Sequence, residues 1–136
     1  MLSIKEILQS MYTAVNGIAD AVFLQDRPKS VSSRYDSYIV VELPSGLSSG
    51  VLDTGNSDYD DYVSTCRFIL FVRNRTRAGD INEIDINKVD NLMSQLMGIF
   101  PINDGHVQIT NPSVILSGDD ESGFHYVFIH ARLRTI

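Results

Sequence analysis

The sequence has a single cysteine, Cys66, among its 136 residues. One cysteine cannot form an internal disulfide bond, and a zinc site built on thiolates needs several. Cys66 stands between Thr65 and an apolar run, a position typical of a small core residue and not of a reactive thiol. The scarcity of cysteine therefore excludes an internal disulfide framework and a zinc–thiolate cage.

Long hydrophobic runs are also missing. No apolar stretch approaches the roughly 20 residues that span a bilayer. The first 15 residues, MLSIKEILQSMYTAV, are interrupted by Lys5, Glu6 and Gln9, unlike the uncharged core of a signal peptide. Without a secretory route, the glycosylation sequon Asn74-Arg75-Thr76 is interpreted as chance. We expect a soluble, intracellular protein with no membrane partner.

Positive charge is in short supply. Eleven Lys and Arg face seventeen Asp and Glu, giving a net charge of −6 and a pI near 4.8. A chain whose main role is to coat phosphates usually has the opposite sign, because counterion release drives that binding. With 43% hydrophobic and 21% charged residues, the composition indicates a single globular domain over 1–136.

The sequence lacks the motifs of the common catalytic and metal sites. There is no phosphate-binding P-loop and no G-x-S-x-G elbow. His125 and His130 are five residues apart, so on a strand they point to opposite faces and cannot share an ion. The acidic run 53–61 lacks the spacing of an EF-hand loop, and we interpret it as a solvated loop. We predict no catalytic residue, no metal and no cofactor, and hence no enzyme.

Two amphipathic helices are predicted. Ser3 and Glu6 fit a capping box, and apolar residues then recur at helical spacing for about 17 to 20 residues. Gly17 weakens the last turns, and 21–24 is either the end of this helix or a short extended exit. The second helix is predicted to begin at Asp85 as N-cap and to end at Gly98.

The remaining apolar segments read as strands. β-branched residues predict a strand over 38–43, followed by a long loop or irregular hairpin arm over 45–61, with a short strand near 51–52. The longest candidate is Tyr62 to Arg73. Strands 106–110, extended by 114–116 beyond a proline, and 124–134 form a closing hairpin with its turn at 118–123.

This element order predicts an α+β fold with a mainly antiparallel sheet of four to five strands and both helices on one face. Along Tyr62–Arg73, alternation sends Cys66, Phe68, Leu70 and Val72 to the core face. The opposite face carries Ile69 and Phe71, and we expect it to be partly uncovered and available to a partner.

Arginines are concentrated in and after the same strand, at Arg67, Arg73, Arg75 and Arg77. The last three share one side if the strand continues. Three interpretations remain open: a solvated strand end, a contact between subunits, and a nucleic-acid surface. Acidic residues just before the strand would supply the opposite charge in a subunit contact: Asp58, Asp60 and Asp61.

The layout as a whole resembles the tail terminator and tail-completion proteins of long-tailed bacteriophages. The resemblance spans most of the chain, through the segments YIVVELP, RFILFVRNR, VDNLMSQLMGIFP and FHYVFIHARL with the glycine- and acid-rich arm between the first two. It implies an α+β subunit of a homo-oligomeric ring, commonly a hexamer, that caps the tail tube and joins it to the head. DNA would then be passing cargo, and the protein would occupy the virion after assembly in the cytoplasm of the bacterial host.

By this resemblance, the long strand and the arm before it build the subunit contacts. The residues expected at that interface are Asp58, Asp60, Asp61, Arg67, Ile69, Phe71, Arg73, Arg75 and Arg77. The alternative is a small soluble binding module that holds a peptide or nucleic acid at the strand end Arg67–Arg77.

Overall fold

The computed structural model describes residues 3–27, 34–44, 48–49, 62–77, 80–120 and 122–135. In chain order, the elements of these residues are α1 (Ile4–Val15), β1 (Ala21–Leu24), β2 (Ser37–Glu42), β3 (Ser48–Ser49), β4 (Tyr62–Arg73), β5 (Arg75–Arg77), β6 (Asp80–Glu83), α2 (Ile86–Gly98), β7 (Ile102–Asn103), β8 (Val107–Asp119) and β9 (Phe124–Thr135). Neither described helix has the length and apolar character needed to cross a membrane.

Helix α1 begins with the predicted capping box. The Ser3 hydroxyl accepts a hydrogen bond from the Glu6 amide at 3.1 Å, and the Glu6 carboxylate accepts one from the Ser3 amide at 3.0 Å. The helix has 12 residues and is shorter than predicted, since the chain turns at Gly17, whose φ is +93°. Residues 21–24 take the extended alternative and form β1.

The fold is α+β, as predicted, but the sheet is larger and mixed. Its strand order is β1-β2-β4-β9-β8-β7, with β3 paired to β4. β1 runs parallel to β2, while the other pairs of this sheet are antiparallel. The predicted count of four to five strands is therefore wrong, because β1, β3 and β7 are too short to show a period in the sequence, whereas the mainly antiparallel pairing is confirmed. A separate two-stranded ribbon, β5–β6, was also missed.

Both helices pack on one face of the sheet, which we call the first face. Ile7, Met11 and Val15 of α1 lie in one buried cluster with the α2 stripe of Val89, Leu92, Met93 and Leu96, and with the inward residues of β2, β4, β8 and β9. Helix α2 starts at the predicted N-cap, where the Asp85 carboxylate accepts a hydrogen bond from the Lys88 amide at 3.3 Å. Gly98 is its last helical residue.

Strands β8 and β9 form one long hairpin. The two predicted pieces, 106–110 and 114–116, belong to a single strand, β8. The register shifts between Thr110 and Ser113, and Asn111 within this bulge has a φ of +55°. A bulge accommodates Pro112 in a strand, because a proline has no amide N–H to give to the ladder.

Candidate interaction site

Strand β4 has the predicted bounds and the predicted facing. Cys66, Phe68, Leu70 and Val72 are buried on the first face, at 0–1% exposure. Arg67, Ile69, Phe71 and Arg73 lie on the other side, which we call the second face. Their neighbours there are fixed by the register: β2 on one flank of β4 and β9 on the other.

The second face is covered at Phe71 and only partly covered at Ile69, so the expectation of a partly uncovered face is wrong at Phe71 and confirmed at Ile69. Phe71 is 4% exposed and belongs to an aromatic cluster with Tyr38, Phe124, Phe23 and Tyr126. The rings of Tyr38 and Phe71 stack at 4.5 Å, and Phe124 meets Tyr38 edge-on at 5.3 Å. The ring of Phe71 is therefore packed against rings of its own chain. Cross-strand aromatic pairs of this kind stabilise a sheet.

Arg27 closes this aromatic cluster from the outside. Its guanidinium carbon lies 5.5 Å from the centre of the Phe71 ring, and its Nη1 lies 3.2 Å from Oδ2 of Asp120. The Asp120 side chain is 1% exposed, and its Oδ1 accepts hydrogen bonds from the Ser122 and Phe124 amides at 2.8 and 3.1 Å. The segment after β1 is thereby fastened to the β8–β9 turn.

Arg67 is engaged within the chain. Its guanidinium donates to the carboxylate of Glu42 on β2, directly across the register. The same guanidinium lies 5.5 Å from the centre of the Phe128 ring on β9. Its charge is therefore compensated by a carboxylate of its own chain and is not offered to a phosphate.

Arg73 is engaged in the same way at the other end of β4. Its Nε lies 3.2 Å from Oδ1 of Asp36, its Nη2 donates to the Tyr35 carbonyl at 2.6 Å, and its guanidinium covers the Phe124 ring at 4.7 Å. Two of the four predicted interface arginines thus stabilise the protomer.

Arg75 differs from these two. Strand β4 ends at Arg73, and Arg75 begins the separate β5–β6 ribbon. Because the strand does not continue, Arg73, Arg75 and Arg77 do not lie along one side of a single strand. Arg75 is exposed and lines a pocket of roughly 170 Å³ with Asp36, Arg73, Asn74, Asp85 and Lys88. The side chains of Arg77, Asp58, Asp60 and Asp61 lie outside the described residues.

Two buried groups on the sheet hold their protons more tightly than usual. Burial raises the pKa of Tyr38 to about 12, with Arg27 lowering it and Asp120 raising it. Burial also raises the pKa of the Cys66 thiol to about 12, which argues against a nucleophilic role. Among the described residues, no three His, Cys, Asp or Glu side chains are grouped as a metal site requires.

A stretch that the sequence interpretation passed over lies at the edge of the sheet. Val114, Ile115 and Leu116 are consecutive on β8 and are 42%, 42% and 80% exposed. In the described part of the chain, β7 pairs with β8 only at Ile109 and Gln108, so this half of β8 has a neighbour on one side only. We call Val114–Leu116 the apolar edge. The sequence shows that these three residues are apolar. Their exposure could not be predicted, because it depends on which strands pair with β8.

No protein-family model matches the chain, and no curated protein matches it.

Proposed function

We propose that the protein is a non-enzymatic structural subunit of a bacteriophage or prophage tail. Copies of the chain would form a ring that terminates the tail tube and joins it to the head. The partners of the ring are tail-tube and head-connector proteins, and DNA is its passing cargo. The layout resemblance supports this role, and the apolar edge is the observation that carries self-association.

The apolar edge is the kind of surface that a monomer normally protects. An exposed strand edge presents unpaired backbone N–H and C=O groups, and stable monomers guard such edges with charged residues, proline or a covering element. Here a bulge with Pro112 guards one end of the exposed stretch, and the exposed side chains beyond it are Val114, Ile115 and Leu116. By their register with β9, Val114 and Leu116 project to the first face and Ile115 to the second, so the edge is apolar on both sides, as a surface that binds another protein would be.

The pocket at Arg75 offers a second contact of the opposite chemistry. Three cations, Arg73, Arg75 and Lys88, and two carboxylates, Asp36 and Asp85, line it, which leaves one positive charge in excess. The acidic residues Asp58, Asp60 and Asp61 of a neighbouring copy supply the complement in this proposal. A basic patch that meets an acidic segment is a head-to-tail contact, and such contacts generate rings when the rotation closes.

We expect Leu116→Glu to abolish self-association, because it places a charge on the apolar edge. Sedimentation velocity and negative-stain electron microscopy of the wild-type chain should show rings, alone or with the tail-tube protein, and the variant should remain monomeric. Ile4→Glu is the matched control, since Ile4 is 60% exposed on α1, away from β8. A wild-type chain that stays monomeric in both conditions refutes the ring.

Arg75→Glu should weaken assembly at least tenfold at low salt without unfolding the monomer, since the side chain is exposed. Arg73→Glu is a poor test, because it also breaks the contacts with Asp36 and Tyr35. Lys5→Glu reverses an exposed charge on α1 and serves as control, with the association constant measured against salt. Unchanged assembly of Arg75→Glu together with lost oligonucleotide binding would favour the small binding module.

A further inference from the structure

One strand concentrates aromatic and basic side chains on a single face, and it is not the arginine-rich β4. Alternate residues of β9 all project to the second face, because they pair with second-face residues of β4. Along the strand, their character changes from buried aromatic to exposed basic. In order they are Phe124, Tyr126, Phe128, His130, Arg132 and Arg134.

In the described register, the basic half of this face is paired with no acidic residue of β4 or β8. Arg132 pairs with Thr65 on β4 and Thr110 on β8. Arg134 pairs with Val63 and Gln108 in the same way. We call His130, Arg132 and Arg134, with the flanking Thr65, Thr110 and Gln108, the basic face.

Arg132 and Arg134 differ from Arg67 and Arg73 in what surrounds them. Both are exposed, and within the described residues neither forms a salt bridge, whereas Arg67 and Arg73 each do. Successive side chains on one face of a strand are about 7 Å apart, so the two guanidinium groups form a short row. In a chain of net charge −6, such a row marks a surface for an anionic partner.

The chemistry around the row favours phosphate over a protein surface. Protein interfaces are built around an apolar centre, while the cross-strand neighbours of Arg132 are two threonines, Thr65 and Thr110. Hydroxyl and amide side chains next to arginine are the usual donors to phosphate oxygens. The ring of Phe128, which lies next to His130 in the order of this face, is already covered by Arg67, so it is not an open platform for a base.

We propose that the basic face binds the phosphodiester backbone of nucleic acid, without reading its sequence. The two arginines would neutralise about two phosphates. Counterion release then gives a slope near −2 in a plot of log affinity against log salt for duplex DNA. The proposal stands independently of ring assembly, because the basic face and the apolar edge are separate sets of residues.

The test is fluorescence anisotropy of the full chain with a labelled duplex and with a single strand of the same length, titrated from low to moderate salt. The double substitution Arg132→Gln/Arg134→Gln should weaken binding to both probes at least tenfold at low salt and bring the salt slope close to zero. The matched control, Lys5→Gln/Arg34→Gln, also removes two positive charges from exposed side chains, and it should retain most of the affinity.

Four outcomes would overturn the proposal. The first three are no DNA binding by the wild-type chain at low salt, unchanged DNA affinity in the double variant, and an equal loss of affinity in the control variant. The fourth is tighter binding of poly-glutamate than of DNA, which would assign the basic face to an acidic protein. Thermal unfolding verifies that both variants are folded. Sedimentation of the double variant separates this proposal from the ring: assembly should be unchanged, and lost assembly with retained DNA binding would make the basic face a subunit contact.

Discussion

Asp120→Ala is expected to lower the free energy of unfolding by about 2–4 kcal/mol. The carboxylate is 1% exposed and accepts hydrogen bonds from the Ser122 hydroxyl and amide and from the Phe124 amide. Truncation leaves those donors without their acceptor and removes the partner of Arg27. Because Arg27 is 43% exposed, we assign most of the loss to the hydrogen bonds and little to the ion pair.

Urea denaturation followed by circular dichroism measures this loss. Asp26→Ala is the matched control, since Asp26 is an exposed aspartate next to Arg27, and it should change stability by less than about 0.5 kcal/mol. Asp120→Asn keeps a side-chain oxygen acceptor and should fall between the wild type and the alanine variant. Equal stability of Asp120→Ala and Asp26→Ala would show that the β8–β9 turn does not depend on this carboxylate.

Two substitutions at Tyr38 should have opposite effects. Tyr38→Ala removes a fully buried ring from the aromatic cluster and should cost about 3–5 kcal/mol. Tyr38→Phe keeps the ring and removes a buried hydroxyl that has no hydrogen-bond partner in the described structure. That variant should be at least as stable as the wild type, because an unsatisfied buried polar group costs about 1–3 kcal/mol. A loss of more than about 1 kcal/mol in Tyr38→Phe would mean that the hydroxyl has a partner.

Tyr38→Phe should also change how the stability of the protein depends on pH in alkaline solution. Burial raises the pKa of Tyr38 to about 12 in the folded chain, from about 10 when it is exposed. The unfolded chain therefore loses this proton first, and the stability tied to the neutral phenol is complete below pH 10 and lost as pH rises toward 12. Denaturation between pH 8 and 11.5 should show a smaller loss in Tyr38→Phe than in the wild type. The remaining loss belongs partly to Cys66, whose pKa burial also raises to about 12.

Local signals in the sequence predicted the regular elements well. The capping box at Ser3, the N-cap at Asp85 and the facing of β4 follow from contacts within a few residues or from a strict alternation, and the structure confirms all three. The parallel pairing of β1 with β2 is different, since Ala21 and its partner Tyr38 are 17 residues apart and β1 has only four residues. Four residues are too few to show an alternation of apolar and polar side chains, so this pairing could not be predicted from the sequence.

The sequence could not show that Arg67 and Arg73 form ion pairs within the chain, because their partners are distant in sequence. Glu42 and Asp36 reach Arg67 and Arg73 across 25 and 37 residues. The basic face, however, could have been predicted from the sequence. Alternate positions of FHYVFIHARLR carry three aromatic residues, a histidine and two arginines, and applying to β9 the alternation used for β4 would have placed all six on one face.

The bulge at Asn111–Pro112 limits how far a second chain can add to the edge of β8. On one side of it, β7 already pairs with Gln108 and Ile109; on the other lies the apolar edge. A bulge interrupts the hydrogen-bond ladder, and a proline supplies no N–H to continue it. Beyond the bulge, an incoming strand can therefore pair with β8 only as far as its end at Asp119. The bulge thus sets one end of the stretch over which a second chain could add to β8.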